Sequence, residues 1–172
     1  MRIVLGAWTA VFTGLLSTYV TVRFHVAGAA PFGALPIALP AVNAAVAVVS
    51  TLTLQWGLLR IRRGHALELA AALIATLVLG LLFAGMQGVL LWRLASAGAF
   101  ASGTTLVQVG RALVVALVLQ LSSGLVALAV LLVRSLDGRY GAARHQEVNA
   151  WGLYWAAVVG SWLVVFAVLW GA

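Results

Sequence analysis

Residues 66–94 read ALELAAALIATLVLGLLFAGMQGVLLWRL, and between Glu68 and Arg93 no side chain can ionise. A helix that crosses the hydrocarbon core needs about 20 mostly apolar residues, at roughly 1.5 Å of rise each. This stretch exceeds that length, so it predicts a spanning helix that tilts or projects beyond the hydrocarbon. Four other runs meet the same requirement: Ile3 to Val22, Ala38 to Leu59, Leu106 to Val133 and Ala150 to Trp170. The expected fold is therefore all-α: one polytopic transmembrane domain over residues 1–172, with five helices at about 3–22, 38–59, 66–94, 106–133 and 150–170.

The composition agrees with that assignment. Of 172 residues, 65% are hydrophobic and 8% charged, and the mean hydropathy is +1.15. A soluble domain carries about 25% charged residues. All ten basic residues are arginines, set against the three acids Glu68, Asp137 and Glu147, for a net charge of +7. In a soluble protein this excess would suggest nucleic acid. Here the arginines lie in loops and at helix ends, with no aromatic interleaving, so they are expected to set membrane orientation and not to bind nucleic acid. There is no cysteine, which excludes disulfides, thiolate ligands and a cysteine nucleophile.

The first run, Arg2 followed by apolar residues up to Ala27-Gly28-Ala29, has the outline of a signal peptide. Its apolar part is longer than the h-region of about 7 to 15 residues that such leaders carry, so a retained first helix is expected. The links between runs are strongly marked. Pro31, Pro36 and Pro40 separate the first two helices, with Pro40 suited to a helix start. Arg60 to His65 reads as a tight turn, Gly98, Ser102 and Gly103 mark the next loop, and Asp137-Gly138-Arg139 marks the last. With the N-terminus in the cytoplasm, Arg2, Arg60, Arg62, Arg63, Arg134, Arg139 and Arg144 lie inside, and Arg23, Arg93 and Arg111 outside. The expected topology is N-in, C-out.

Charged groups at membrane depth ordinarily mark ion paths and cofactor sites, because each costs about 2.5 to 3.5 kcal/mol on insertion scales. The predicted spans bury none. His25, His65 and His145 fall in loops or at helix ends, so this chain offers no pair of axial haem ligands at membrane depth and no metal-ligand set. Glu68 stands near a helix start, where an acid suits the helix dipole. Uncharged polar residues do occur in the spans: Thr9, Thr13, Ser17, Asn43, Ser50, Thr51, Gln55, Gln87, Gln120, Ser122 and Ser123. They are expected first to join helices by hydrogen bonds, with Gln87 and Gln120 also weighed as lipid or quinone contacts. Gly80, Ala84 and Gly88 form a small-xxx-small ridge for close helix packing. Of the seven tryptophans, most lie near the predicted interfaces, whereas Trp155 and Trp162 lie deeper and share a face.

The last helix contains Tyr154, Trp155, Ala156, Ala157, Val158, Val159, Gly160, Ser161 and Trp162. This run resembles the Tyr-Trp-His-Phe-Val-Asp-x-Val-Trp stretch of subunit III of the heme-copper oxidases, in the cytochrome c and quinol oxidase family. The His and Asp positions are Ala156 and Val159 here. Other fragments follow in the family's order. Gly6, Trp8 and Thr13 resemble its Gly-x-Trp-Leu-Phe-x-x-Ser-Glu, with Gly14 at the acidic position. Pro40, Asn43, Ser50 and Thr51 resemble its Asn-Thr-x-x-Leu-x-x-Ser-Ser, and Leu79-Gly80 with Phe83 and Gln87 its Leu-Gly-x-x-Phe-x-x-x-Gln. Leu117 and Gln120, before Ser123 and Gly124, stand where the family has His-x-x-His-Val-x-x-Gly.

The resemblance implies a short, divergent five-helix form of that subunit in a bacterial inner membrane. By this likeness the chain is a non-redox accessory component that binds no cofactor itself. It would pack against catalytic subunit I, which carries the haems and copper, and hold structural phospholipid. Contacts with lipid or other subunits are then expected at Trp8, Asn43, Gln87, Gln120, Tyr154, Trp155 and Trp162. Two alternatives remain open on the sequence: an accessory subunit of nitric oxide reductase, and a small membrane carrier for lipid or quinone using Gln55, Gln87 and Gln120.

Overall fold

A computed structural model of the chain describes residues 2–25, 38–98, 101 and 104–170. They form five helices: α1 (Arg2–His25), α2 (Ala38–Arg62), α3 (Ala66–Ser96), α4 (Thr105–Leu136) and α5 (Gln146–Trp170). Among the described residues there is no strand, only an isolated bridge between Gly141 and Arg144 in the α4–α5 connection. Four helices, α2 to α5, are long and apolar enough to cross a membrane.

Most of the helices start where the sequence predicts but run further. Arg60, Ile61 and Arg62, expected in a tight turn, continue α2, because fully buried Ile61 holds that last turn against the core. The turn is reduced to Arg63 and Gly64. At the other end of the chain α5 begins at Gln146 rather than near residue 150, with Val148 fully buried in its first turn. Glycine ends three helices in the left-handed conformation: Gly64 (φ 87°), Gly98 (φ 75°) and Gly138 (φ 70°). At two of these ends the following amide reaches back five residues, His65 N–H to Arg60 C=O and Arg139 N–H to Arg134 C=O, both at 3.1 Å. This closure satisfies carbonyls that a helix end would otherwise leave exposed.

Helices α2, α3, α4 and α5 close into a ring, each packed against its two neighbours, α5 returning to α2. α1 stands outside the ring against α4 and α5 and makes no backbone approach to α2 among the described residues. Its Phe12 and Tyr19 are buried by that docking. The tightest approach is between α2 and α3, where a Cβ at Gly57 would lie 2.5 Å from the Ala72 Cβ. The outer faces carry Leu52, Leu59, Val78, Leu81, Leu119, Val126 and Leu153, all exposed, as a lipid-facing surface requires. Trp56 and Trp92 are also exposed, near the ends of α2 and α3, where an aromatic belt places them.

Candidate functional site

One α5 side chain ties the ring together. Trp155 is fully buried, and its indole fills the space left by two glycines on facing helices. A Cβ added to Gly80 of α3 would come within 3.0 Å of the indole Cη2, and one added to Gly124 of α4 within 3.0 Å of Cε3. The indole N–H donates to Ser50 Oγ of α2 at 3.1 Å. Ser50 in turn donates to the Ala47 carbonyl at 2.7 Å. Trp155 therefore touches all three other helices of the ring.

The neighbouring residues extend this tie. The Tyr154 hydroxyl lies 2.5 Å from Ser123 Oγ and donates to the Gln120 carbonyl at 3.2 Å, joining α5 to α4. Its ring meets Trp151 edge-on, with centroids 5.5 Å apart. Two turns further along α5, Trp162 packs edge-on against Phe83 of α3 at 5.9 Å. Two polar links join α2 to α3: Asn43 Nδ2–H donates to Gln87 Oε1 at 2.9 Å, and the Thr53 and Thr76 hydroxyls lie 2.9 Å apart. Asn43 and Gln87 are both buried. Links of this kind contribute about 0.6 kcal/mol each in a membrane bundle.

The predicted site residues thus gather in one place, with exceptions. Asn43, Gln87, Gln120, Tyr154, Trp155 and Trp162 are all buried in the bundle interior. The Trp8 side chain lies outside the described residues. Of the ridge, Gly80 admits the Trp155 ring, not a helix backbone, while Ala84 is half-buried and Gly88 is exposed, with nothing within 4 Å among the described residues. The close helix contact falls instead on Gly57 and Ala72, a pair that carries no spacing signature because its members sit on different helices. Gln55 is exposed on the outer face.

Beside Gln87 and Trp162 are two crevices between α3, α4 and α5, of about 20 and 30 Å³. Each has room for about one water molecule. They are lined chiefly by aliphatic side chains such as Leu91, Val114 and Leu117, and Tyr19 of α1 borders one of them. The Trp162 indole N–H and the Asn43 Oδ1 have no hydrogen-bond partner among the described residues.

A larger, polar space lies at the end of the bundle, in the α4–α5 connection: a cleft of about 400 Å³ bordered by Arg134, Arg139, Tyr140, Arg144, Gln146 and Glu147. Glu147 pairs with Arg134 across the connection and accepts a hydrogen bond from the Tyr140 hydroxyl at 3.0 Å. Burial, reinforced by that carboxylate, raises the Tyr140 pKa above 10.0. The α2–α3 turn sits at the same end of the ring. There Arg60 pairs with Glu68 at 2.6 Å and lies over the Trp56 ring, and Arg62 donates to Asn149 Oδ1 of α5 at 3.0 Å. Glu68, expected to serve the helix dipole, is thus also an ion-pair partner. The cleft escaped the sequence reading, although Arg134 and Glu147 bracket the Asp137-Gly138 turn closely enough to suggest a pair.

Among the described residues no three His, Asp or Glu side chains come together as a metal-ligand set. No known family profile and no curated protein matches this chain.

Proposed function

We propose that the chain is a subunit III-like, non-redox accessory component of a respiratory heme-copper terminal oxidase in a bacterial inner membrane. In this reading it crosses the membrane five times with the N-terminus inside. It packs against the catalytic subunit, which holds the haems and copper, and retains structural phospholipid on its outer surface. The observation that carries the proposal is the use made of Tyr154, Trp155 and Trp162. These are the residues on which the resemblance rests, and they form the bundle's central packing and hydrogen-bonding tie. Their partners Ser50, Gly80, Phe83, Gln120, Ser123 and Gly124 also come from the matching fragments. A shared packing core explains why such residues persist together where the ionisable positions do not.

The outward faces support an assembly role. Among the described residues nothing lies within 4 Å of where a side chain would begin at Gly85 and Gly88 of α3 and Gly160 of α5, leaving flat backbone for another helix to approach. Orientation follows from the arginines: Arg60, Arg62, Arg63, Arg134, Arg139 and Arg144 cluster at the end bearing the α2–α3 turn and the α4–α5 connection. That end is assigned to the cytoplasm.

The test is purification through a tag on this chain in mild detergent, with identification of every co-migrating subunit and an absorption spectrum. A large multi-helix haem protein at a fixed ratio is expected. Recovery of the chain alone from membranes that contain an intact terminal oxidase would overturn the proposal. Turnover with oxygen, and not with nitric oxide, separates the oxidase from a nitric oxide reductase.

A further inference from the structure

We infer that the polar cleft of the α4–α5 connection is a binding site for a phosphate-bearing anion, held by Arg139 and Arg144. Charge pairing at this end of the bundle leaves arginine in surplus. Among the described side chains six arginines and three acids lie there, and each acid is matched: Glu68 by Arg60, Glu147 by Arg134, and Asp137 by Arg139 at a loose 3.8 Å. Arg62 is taken by Asn149. Among the described residues no carboxylate lies within ion-pair distance of Arg63 or Arg144. Of these two surplus cations, Arg144 borders the cleft and Arg63 does not.

The cleft's walls determine which groups can act. Arg134 and Tyr140 are both committed to Glu147, so they form a fixed wall and not a ligand set. Arg139 and Arg144 remain, with the Gln146 side chain beside them as a neutral hydrogen-bonding group. Arg139 is held only weakly by Asp137, at a distance beyond that of a good hydrogen bond. Two guanidiniums around about 400 Å³ of polar space match a tetrahedral phosphoryl group, whose oxygens accept the forked N–H pairs of arginine. The space exceeds what a bare phosphate needs and admits a substituted one. Immediately beside it the exposed Val133 and Leu136 end α4, so the site stands where a lipid headgroup or a soluble phosphoryl compound could each arrive. The inference does not depend on the oxidase reading.

The experiment uses the full chain reconstituted in phosphatidylcholine, with spin-labelled phosphatidylglycerol as probe and spin-labelled phosphatidylcholine as reference. Relative association is measured for the wild type, Arg139→Gln, Arg144→Gln, the double variant and Arg63→Gln. A lost hydrogen bond to a charged phosphoryl group lowers affinity about ten-fold or more, against about five-fold at most for general surface charge, so the double variant should lose about 100-fold if both arginines bind. Arg63→Gln, a surplus cation outside the cleft, should change it far less. Equal losses for Arg63→Gln and Arg144→Gln would overturn the site in favour of general surface charge, as would no loss in the double variant. Arg139→Lys with Arg144→Lys keeps the charge but not the fork: a partial return of the preference is expected and shows that the glutamine variants had not simply lost the fold, whereas a full return would overturn the forked site in favour of surface charge. Inorganic phosphate is then added as competitor. Displacement of the lipid at millimolar concentration identifies a soluble phosphoryl anion as an occupant, and retention of the cleft-dependent lipid preference identifies the headgroup; either supports the site.

Discussion

Replacing Gly124 with alanine tests whether Trp155 is the tie of the bundle. The new Cβ would meet the indole Cε3 at 3.0 Å and Cζ3 at 3.1 Å, closer than ordinary van der Waals contact. The ring has nowhere to go: Gly80 of α3 borders its other edge, with a Cβ there reaching Cη2 at 3.0 Å, and its N–H is held by Ser50. Overpacking of this kind costs about 1–3 kcal/mol. A loss of about 2 kcal/mol is a change of roughly 30-fold in the folding equilibrium. Trp155→Phe removes the indole N–H and part of the ring, a loss of about 0.6 kcal/mol for the hydrogen bond plus a packing term. Because Phe vacates the space that the added methyl group would invade, the double variant should be more stable than the sum of the single losses by about 1 kcal/mol. Unfolding in mixed micelles of mild detergent and dodecyl sulfate, followed by circular dichroism, measures all four proteins. Gly88→Ala is the control, since nothing among the described residues lies within 4 Å of its added carbon, and it should be neutral or stabilising through helix propensity of about 1 kcal/mol. Additivity of Gly124→Ala and Trp155→Phe within about 0.5 kcal/mol would refute the contact as the cause.

The Asn43–Gln87 pair should behave asymmetrically in the same assay. Asn43→Leu or Gln87→Leu alone strands a buried amide and should cost about 1–3 kcal/mol, whereas the double leucine variant should recover most of it; equal or greater loss in the double variant would show that the link is not what the singles disturb. Tyr140 has its pKa raised, first by burial and then by Glu147, so the folded state favours the neutral phenol. Its contribution to stability is fully present below pH 10.0, the unfolded value, and is lost as pH rises through the higher folded value. The difference in phenolate absorbance between wild type and Tyr140→Phe should therefore appear above pH 10.0, and Glu147→Gln should lower its midpoint; a midpoint at or below 10.0 in the wild type would contradict the buried geometry.

The helices were legible because a span is set by the length of an uncharged apolar run, a property each segment carries by itself. Their ends were less so. Arginine reads as a loop residue in an apolar chain, yet Arg60 and Arg62 remain helical because Ile61 is buried between them and both guanidiniums find partners on neighbouring elements. The interior site was visible as a set of residue types, since Asn43, Gln87, Tyr154, Trp155 and Trp162 stand out among aliphatic neighbours. Their pairing was not visible. That Trp155 lies between Gly80 and Gly124 depends on the rotation of three helices, which no spacing along one helix encodes. The ridge of Gly80, Ala84 and Gly88 shows the same limit: the spacing places small residues along one side of α3, but neighbouring side chains decide which of them is used. The polar cleft depends still more on the fold, because its charge balance emerges only after Arg134 has taken Glu147.

α1 docks on α4 and α5 and approaches neither of the helices that follow it in the chain, among the described residues. During synthesis the α2–α3 hairpin can close as soon as both segments have left the ribosome, because its contacts are local. α1, made before both of its partners, has no complete docking surface until α5 has been made. Its burial of Phe12 and Tyr19 is therefore the most non-local step of assembly, and contacts of that kind form slowly. Until then those two aromatic rings lack their full set of packing partners. A nascent chain stalled before residue 146 would carry a completed α2–α3 hairpin and an incompletely docked first helix, which makes the last helix the step that commits the bundle.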